Sequence, residues 1–314
     1  MESVKSARCV LFAYHDMGYA CLDALLKMGA PIAALFTHRD DAHEEIWWRS
    51  CADLATSRGV PVHFDESVET LGEKISALKP TLIYSFSYRH LIPASVLDLA
   101  PVGAFNLHPS LLPAYRGRAP VNWVLVNGER ETGVTLHYMV ARADAGDIVG
   151  QRVVAIDDGD NALTLYRKLV PLGVDLVEEM HTKVVAGNAP RRTMDISKGS
   201  YFGRRKPEDG RIDWRWPARR IFNLVRAVTH PYPGAFCFVS GRKLFLWEAK
   251  IGAESGTLGA PGRVVRENPD GALEIAAGEG SVIVKVAQFE GGVEAIAREA
   301  LSQSERVADT LRFD

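Results

Sequence analysis

The chain has 314 residues, of which 47% are hydrophobic and 24% are charged, and its formal net charge is -2. This balance is typical of a globular protein with one large or two modest domains, and it gives no reason to expect binding to nucleic acid or to a membrane surface. The four cysteines show no metal-ligand spacing. No apolar run approaches the roughly 20 residues that span a bilayer. We therefore expect a cytoplasmic protein without a metal site.

In the first half of the chain, short apolar runs alternate with helical patterns. The runs of strand length are Cys9–Tyr14, Pro31–Phe36, Thr81–Phe86 and Ala104–Leu107. The helical patterns are a stretch that ends at Gly29, then Ile46–Arg58 and Leu71–Leu78. Apolar strands separated by helices predict the α/β class, with a Rossmann-like, doubly wound and mostly parallel sheet. Only Gly18 follows the first strand where a dinucleotide fingerprint would place three glycines, so no nicotinamide or flavin cofactor is indicated.

The second half of the chain has a different pattern. Two strands are predicted at Thr132–Met139 and Ile148–Ile156, followed by a long helix at Ala162–Val185. Beyond Tyr201, short β-like runs separated by glycine-containing turns predict a small antiparallel, barrel-like (OB-like) domain. We expect a first domain at residues 1–188, a linker at 189–203 and a second domain at 204–314.

The segment whose side chains are most suited to catalysis begins at the end of the strand Ala104–Leu107. Asn106 and His108 are two residues apart, so in a strand their side chains share one face. An amide can donate to an oxyanion while an imidazole moves a proton, and a carboxylate such as Asp144, in a later polar loop, would favour the imidazolium form. On spacing alone, each of these residues can equally be structural.

Two motifs resemble those of the folate-dependent formyltransferases, a superfamily with methionyl-tRNA, glycinamide ribonucleotide and sugar-nucleotide branches. The first is Asn106-x-His108 followed by Ser110-Leu111-Leu112-Pro113-x-Tyr115-Arg116-Gly117. The second is Ala143-Asp144-Ala145-Gly146-Asp147. The segments Phe12–Gly18, Tyr88–Ile92, Arg118–Gly128, Glu131–His137 and Phe202–Arg205 are most similar to the formyltransferase domain of the bifunctional polymyxin-resistance protein. The similarity runs from about Val10 to Trp247 and fades after that.

The resemblance implies N10-formyltetrahydrofolate as co-substrate, without a metal. It implies His108 as the proton-transferring residue, Asn106 as the oxyanion stabiliser, and Asp144 as the group that favours imidazolium. The residues that it implies for folate binding are His90, Leu91, Ile92, Arg118, Val140, Ala141, Arg142, Ala143 and Asp144. His137 alternates with apolar residues and is interpreted as a structural partner.

The implied acceptor is a sugar nucleotide, namely the 4-amine of UDP-4-amino-4-deoxy-L-arabinose, a reaction of lipid A modification and polymyxin resistance. A decarboxylating dehydrogenase would then act from a separate chain. Two alternatives remain open. One is formylation of initiator methionyl-tRNA, for which Arg204-Arg205-Lys206, Arg215 and Arg219-Arg220 supply cations. The other is a folate- or nucleotide-binding module without catalysis, against which the presence of all three candidate catalytic residues argues.

Overall fold

The computed structural model describes residues 7–42, 44–64, 67–302 and 313, without the side chains of Val68 and Glu69. The chain divides into two compact units. Unit 1 comprises Met1–Pro120, Glu131–Ala155 and Tyr166–Gly203, and unit 2 comprises Val121–Arg130, Ile156–Leu165 and Arg204–Asp314. The sequence prediction had one contiguous domain on each side of a linker. This division differs because two segments from within residues 1–188, Val121–Arg130 and Ile156–Leu165, belong to unit 2.

Unit 1 contains a seven-stranded sheet with the strand order β3-β2-β1-β4-β5-β7-β8. Its strands are Cys9–Ala13 (β1), Ile32–Thr37 (β2), Val62–Phe64 (β3), Leu82–Phe86 (β4), Gly103–His108 (β5), Glu131–Tyr138 (β7) and Ile148–Ala155 (β8). The strands from β3 to β5 are parallel, whereas β7 and β8 are antiparallel to their neighbours. The expected mostly parallel, Rossmann-like sheet is confirmed.

Helices connect these strands. They are His15–Lys27 (α1), Cys51–Ser57 (α2), Val68–Leu78 (α3), Ala94–Leu97 (α4), Pro120–Val126 (α5) and Ala162–Val185 (α6). The predicted helix at Ile46–Arg58 was wrong over its first five residues. Ser50 caps α2 by accepting a hydrogen bond from the Asp53 amide, so the helix begins at Cys51. The preceding Trp48 instead stacks on His15, with ring centroids 3.7 Å apart.

The sheet order fixes where a ligand crevice can form. Strands β2 and β3 lie on one side of β1, and β4 and β5 lie on the other, so the winding of the chain reverses between β1 and β4. Open α/β sheets bind ligands outside the carboxyl ends of their strands near such a reversal. His108 is the last residue of β5, and it therefore lies at this edge of the sheet.

The stretch 189–203, expected as a linker, is ordered against unit 1. Arg192 forms an isolated bridge with Ile148. The strand Tyr201–Phe202 (β9) pairs in parallel with Arg116–Gly117 (β6), and between these contacts lies the 3₁₀ turn Ile196–Lys198. Because its backbone groups are paired in this way, the stretch packs beside β6 as an ordered part of unit 1.

Unit 2 contains a six-stranded sheet in which every paired strand is antiparallel, as predicted for this domain. Its strands are Ala235–Val239 (β10), Arg242–Ile251 (β11), Val264–Glu267 (β12), Leu273–Ala276 (β13), Ser281–Phe289 (β14) and Ala295–Ile296 (β15). Two helices, Ala218–Val228 (α7) and Ala297–Ser302 (α8), were not predicted. No helix in the described part of the chain is long and apolar enough to cross a membrane.

Candidate active site

Strand pairing builds the candidate site. In the antiparallel register of β5 and β7, Asn106 lies directly opposite His137, and His108 lies opposite Thr135. Residues opposite each other in such a pair have neighbouring side chains. The two polar residues of β5 therefore meet two polar residues of β7 on one face of the sheet. This face lies at the carboxyl end of β5, where the crevice is expected.

The carboxylate of Asp144 joins these side chains. Its Oδ1 atom lies 3.3 Å from the Asn106 amide nitrogen, 3.6 Å from His108 Nδ1 and 3.6 Å from His137 Nε2. Its Oδ2 atom accepts a hydrogen bond of 2.9 Å from the backbone amide of Gly117. The structure thus brings together Asn106, His108 and Asp144, and it adds His137 and the Gly117 amide to them.

The charge of Asp144 is stabilised by its neighbours. Burial of this side chain would raise the pKa of its carboxyl group. The charge of His108, the contacts of His137 and the hydrogen bond from Gly117 act in the opposite direction and together hold the pKa well below the ordinary range. The group is therefore a carboxylate throughout the neutral range.

Carbonyl groups fix the orientation of both imidazoles. Nε2 of His108 lies 2.8 Å from the carbonyl oxygen of Tyr115, and Nδ1 of His137 lies 2.8 Å from that of Tyr138. Since a carbonyl only accepts, each of these nitrogens carries a hydrogen and donates it. The remaining nitrogens, His108 Nδ1 and His137 Nε2, then face Asp144. These are the positions at which a proton can be gained or lost.

Two loops carry the atoms that complete the site. Asp144 has a left-handed backbone with a φ of 49°, which aspartate adopts more readily than most residues. The nearby Gly146 is required by close packing, because a Cβ atom there would lie 1.9 Å from the carbonyl oxygen of Tyr138. In the other loop, the Tyr115 ring stacks on Phe202 with centroids 5.1 Å apart, which holds the carbonyl that orients His108.

The residues expected to bind folate occupy several environments. Leu91 and Val140 are exposed apolar side chains, with 65% and 45% of their surface accessible. The Arg118 guanidinium is exposed and donates to the carbonyl oxygen of Arg89. Ile92 is buried in the core with Val10, Phe12 and their neighbours, so only its backbone is available to a ligand. The remaining expected residues lie at the surface or are partly exposed: His90, Ala141, Arg142 and Ala143.

His137 was interpreted from the sequence as a structural partner, and the structure gives it partners in Asn106, Asp144 and the Tyr138 carbonyl. Its place in the site was not predicted, although Thr135 and His137 are polar residues two apart in β7, as Asn106 and His108 are in β5. The Gly117 amide was missed because the sequence of side chains does not show which backbone amides donate hydrogen bonds.

Known proteins resemble both parts of the chain. The family Formyl transferase matches residues 48–179, and the family Formyl transferase, C-terminal domain, matches residues 204–305. The two matches together cover well over half of the sequence. The chain belongs to the formyl transferase family. The predicted family is thereby confirmed.

Three solved structures share the fold of this formyl transferase. HypX from Aquifex aeolicus in complex with tetrahydrofolic acid is 19% identical, with a TM-score of 0.65 over 98% of this chain and 51% of its own. The N-formyltransferase from Helicobacter canadensis in complex with folinic acid and dTDP-3-aminofucose is 19% identical, with a TM-score of 0.69 over 90% of this chain and 99% of its own. A sugar N-formyltransferase from Shewanella is 19% identical, with a TM-score of 0.62 over 77% of this chain and 97% of its own. The chain spans about half the length of HypX.

The pKa of Asp144 leads to a prediction about stability. Because this pKa is lower in the folded than in the unfolded chain, the carboxylate stabilises the fold at neutral pH, and this stabilisation is lost as the pH falls through the folded pKa. We expect Asp144→Asn to lower the free energy of unfolding by about 1–3 kcal/mol at neutral pH. The difference from the wild type should shrink below about pH 4. Urea unfolding across this range measures it.

Asp147 offers the matched control, since its carboxylate is more exposed and pairs with Arg191 at 3.3 Å. Asp147→Asn should change the free energy of unfolding little at any pH. A loss for Asp144→Asn that stays constant with pH would contradict the assignment of a charged, buried carboxylate.

A second prediction concerns Gly117. Its φ is +96°, and a Cβ atom would lie 2.2 Å from the carbonyl oxygen of Phe202, so Gly117→Ala must displace the backbone whose amide binds Asp144. We expect a lower melting temperature and a large loss of turnover. Gly72→Ala is the control, because Gly72 lies in α3 with no atom within 4 Å of its added Cβ, and alanine favours helices. Equal behaviour of the two variants would contradict the prediction.

Proposed function

We propose that this enzyme transfers a formyl group from N10-formyltetrahydrofolate to an amine of a sugar nucleotide. The observation that carries the proposal is the largely buried carboxylate of Asp144, which lies within 3.6 Å of two imidazoles and an amide at the carboxyl end of β5. The Helicobacter canadensis enzyme, in complex with folinic acid and an amino-sugar nucleotide, supports this choice of donor and acceptor class.

For the acceptor itself we propose the 4-amine of UDP-4-amino-4-deoxy-L-arabinose. The support is the sequence resemblance described above, which extends beyond the catalytic motifs into Phe12–Gly18 and Arg118–Gly128. The reaction would then belong to lipid A modification and polymyxin resistance. The oxidative step that prepares the amino sugar would be supplied by a decarboxylating dehydrogenase on a separate chain.

His108 is proposed to handle the proton. The acceptor amine attacks the formyl carbon and becomes cationic, and a proton must then travel from this nitrogen towards the folate nitrogen that departs. The Nε2 hydrogen of His108 is held by the Tyr115 carbonyl, so Nδ1 is the nitrogen that exchanges its proton. Asp144, 3.6 Å away, stabilises the imidazolium that results.

Asn106 is proposed to stabilise the oxyanion that forms when the amine attacks. Its amide nitrogen lies 3.1 Å from His137 Nε2 and 3.3 Å from Asp144 Oδ1, so both of its hydrogens already have acceptors. The reverse orientation of the amide would set its oxygen against the carboxylate. To reach the oxyanion, Asn106 must therefore release one of these acceptors, and protonation of His137 at Nε2 would release it.

The exposed apolar side chains suit a folate ring. Leu91 and Val140 would be covered by a planar, aromatic ligand, and burial of such surface favours binding. Arg118 would lie beside the anionic part of the folate, as a guanidinium binds carboxylates well. The formyl donor supplies the electrophilic carbon, while these side chains orient it beside His108.

Three of the cations that could support a tRNA acceptor are engaged within unit 2. Arg215 pairs with Asp213 at 2.7 Å, and Arg219 pairs with Asp158 at 2.8 Å. Arg220 lies over the ring of Trp216 at 4.0 Å from its centroid. Cations neutralised by neighbouring carboxylates contribute less to binding a phosphate backbone. These contacts favour the sugar nucleotide over tRNA as the acceptor.

Replacement of His108 tests the mechanism. We expect His108→Ala to lower turnover by about 100-fold or more, because general acid–base catalysis contributes this much, while folate binding changes little. Initial rates with N10-formyltetrahydrofolate and the sugar nucleotide measure it. His230→Ala is the control, since His230 is exposed and pairs with Glu294, and its turnover should stay near that of the wild type. If His108→Ala keeps more than about a tenth of wild-type turnover, the assignment is wrong.

Ligand-induced stabilisation tests the donor and the acceptor separately. We expect tetrahydrofolate or 5-formyltetrahydrofolate to raise the melting temperature in a concentration-dependent way, and NAD to leave it unchanged. A formylation assay with UDP-4-amino-4-deoxy-L-arabinose, dTDP-amino hexoses and methionyl-tRNA then identifies the acceptor. Stabilisation by NAD and not by folates would contradict the proposed donor, and formylation of methionyl-tRNA alone would contradict the proposed acceptor class.

A further inference from the structure

The guanidinium of Arg116 is buried without a counterion. Only 5% of this residue is accessible, and its Nε and Nη1 atoms are fully buried without a hydrogen-bond partner. Among the described residues it forms no ion pair. Its side chain lies beside the ring of Tyr201, whose centroid is 5.9 Å from Cζ. A ring face at this distance stabilises a cation only weakly.

Burial of such a cation lowers the stability of the folded chain. An arginine remains protonated in proteins, so it cannot avoid the cost of burial by becoming neutral. Buried charges are therefore usually paired, and an unpaired buried donor loses the hydrogen bonds that it made to water. The chain tolerates this cost at Arg116, one residue before the glycine whose amide binds Asp144. An anion that binds there would remove it.

Backbone hydrogen bonds fix the main chain on both sides of this guanidinium. The Arg116 amide donates to the carbonyl oxygen of Ser200 at 3.0 Å, and the Arg118 amide donates to that of Phe202 at 2.9 Å. The neighbouring Tyr201 is 60% exposed, so the residue beside the buried cation is accessible from solvent. A cation carried on an ordered main chain beside an accessible ring is a preorganised arrangement, which lowers the entropic cost of binding.

We propose that the guanidinium of Arg116 binds an oxyanion of a substrate. Two adjacent guanidinium nitrogens form parallel hydrogen bonds to a phosphate or a carboxylate. Within the proposed function, the source is either a phosphate of the sugar nucleotide or a carboxylate of the folate. The identity of the ligand rests on the proposed function, whereas the presence of an anion site rests on the geometry of Arg116 alone.

Arg116→Met tests this inference, because methionine fills a similar volume without the charge. The melting temperature is measured without ligand and with inorganic phosphate, UDP or 5-formyltetrahydrofolate. Without ligand, the variant should melt at the same temperature as the wild type or higher, since an uncompensated buried charge has been removed. The affinity for the anion that binds Arg116 should fall about tenfold or more. Arg116→Lys should retain part of it.

Arg191→Met is the matched control. Its guanidinium also lies over a tyrosine ring, that of Tyr138 at 4.1 Å, but it is exposed and paired with Asp147. The control should leave every ligand-induced shift unchanged. Loss of the UDP and phosphate shifts in Arg116→Met identifies the nucleotide phosphate as the anion, and loss of the folate shift alone identifies the folate carboxylate.

A structural role for Arg116 gives the opposite result. If Arg116→Met lowers the melting temperature of the ligand-free chain and leaves all three ligand shifts as in the wild type, the inference is wrong. Because the phosphate and UDP shifts need no turnover, they remain informative if no sugar nucleotide is formylated. If Arg116→Met loses the phosphate-induced shift while the wild type formylates no sugar nucleotide, the anion site is supported and the proposed acceptor is rejected.

Discussion

The carboxylate of Asp144 is the group on which the geometry of the candidate site depends. A largely buried negative charge requires polar partners around it, and these come from separate parts of unit 1: the side chain of Asn106, the imidazoles of His108 and His137, and the amide of Gly117. The Asn106 amide and the Gly117 amide donate to it, while the two imidazoles are oriented by backbone carbonyls so that one nitrogen of each faces it. The arrangement of the candidate site therefore also compensates the cost of burying this charge.

The antiparallel strand β7 makes this arrangement possible. Its pairing with β5 places His137 opposite Asn106. The loop that follows β7 then folds so that Asp144 lies against Asn106, His108 and His137. The strand β7 and its following loop therefore supply both the second imidazole and the carboxylate.

The sequence was informative where the chemistry resides in side chains with a local pattern. Apolar runs predicted most strands of both sheets, although not β3 or β15, and Asn106 and His108 were identified from their spacing and their motif. The helix at Ala218–Val228 was missed, and so was the contact of His137 with Asn106 and Asp144, because each depends on tertiary packing and strand register. The buried state of Arg116 was also invisible, since an arginine in a polar loop is ordinarily exposed.

The two units are not contiguous in sequence, and this limits how the chain can be truncated or its C-terminal region exchanged. Val121–Arg130 and Ile156–Leu165 belong to unit 2, and inside it Asn122 donates to the Ala227 carbonyl while Arg226 donates to that of Asp157. A gene fragment that stops at Gly203 would encode both segments without the helix that satisfies them. Exchange of the C-terminal region between homologues is consequently constrained at these two internal segments, far from the apparent junction in the sequence.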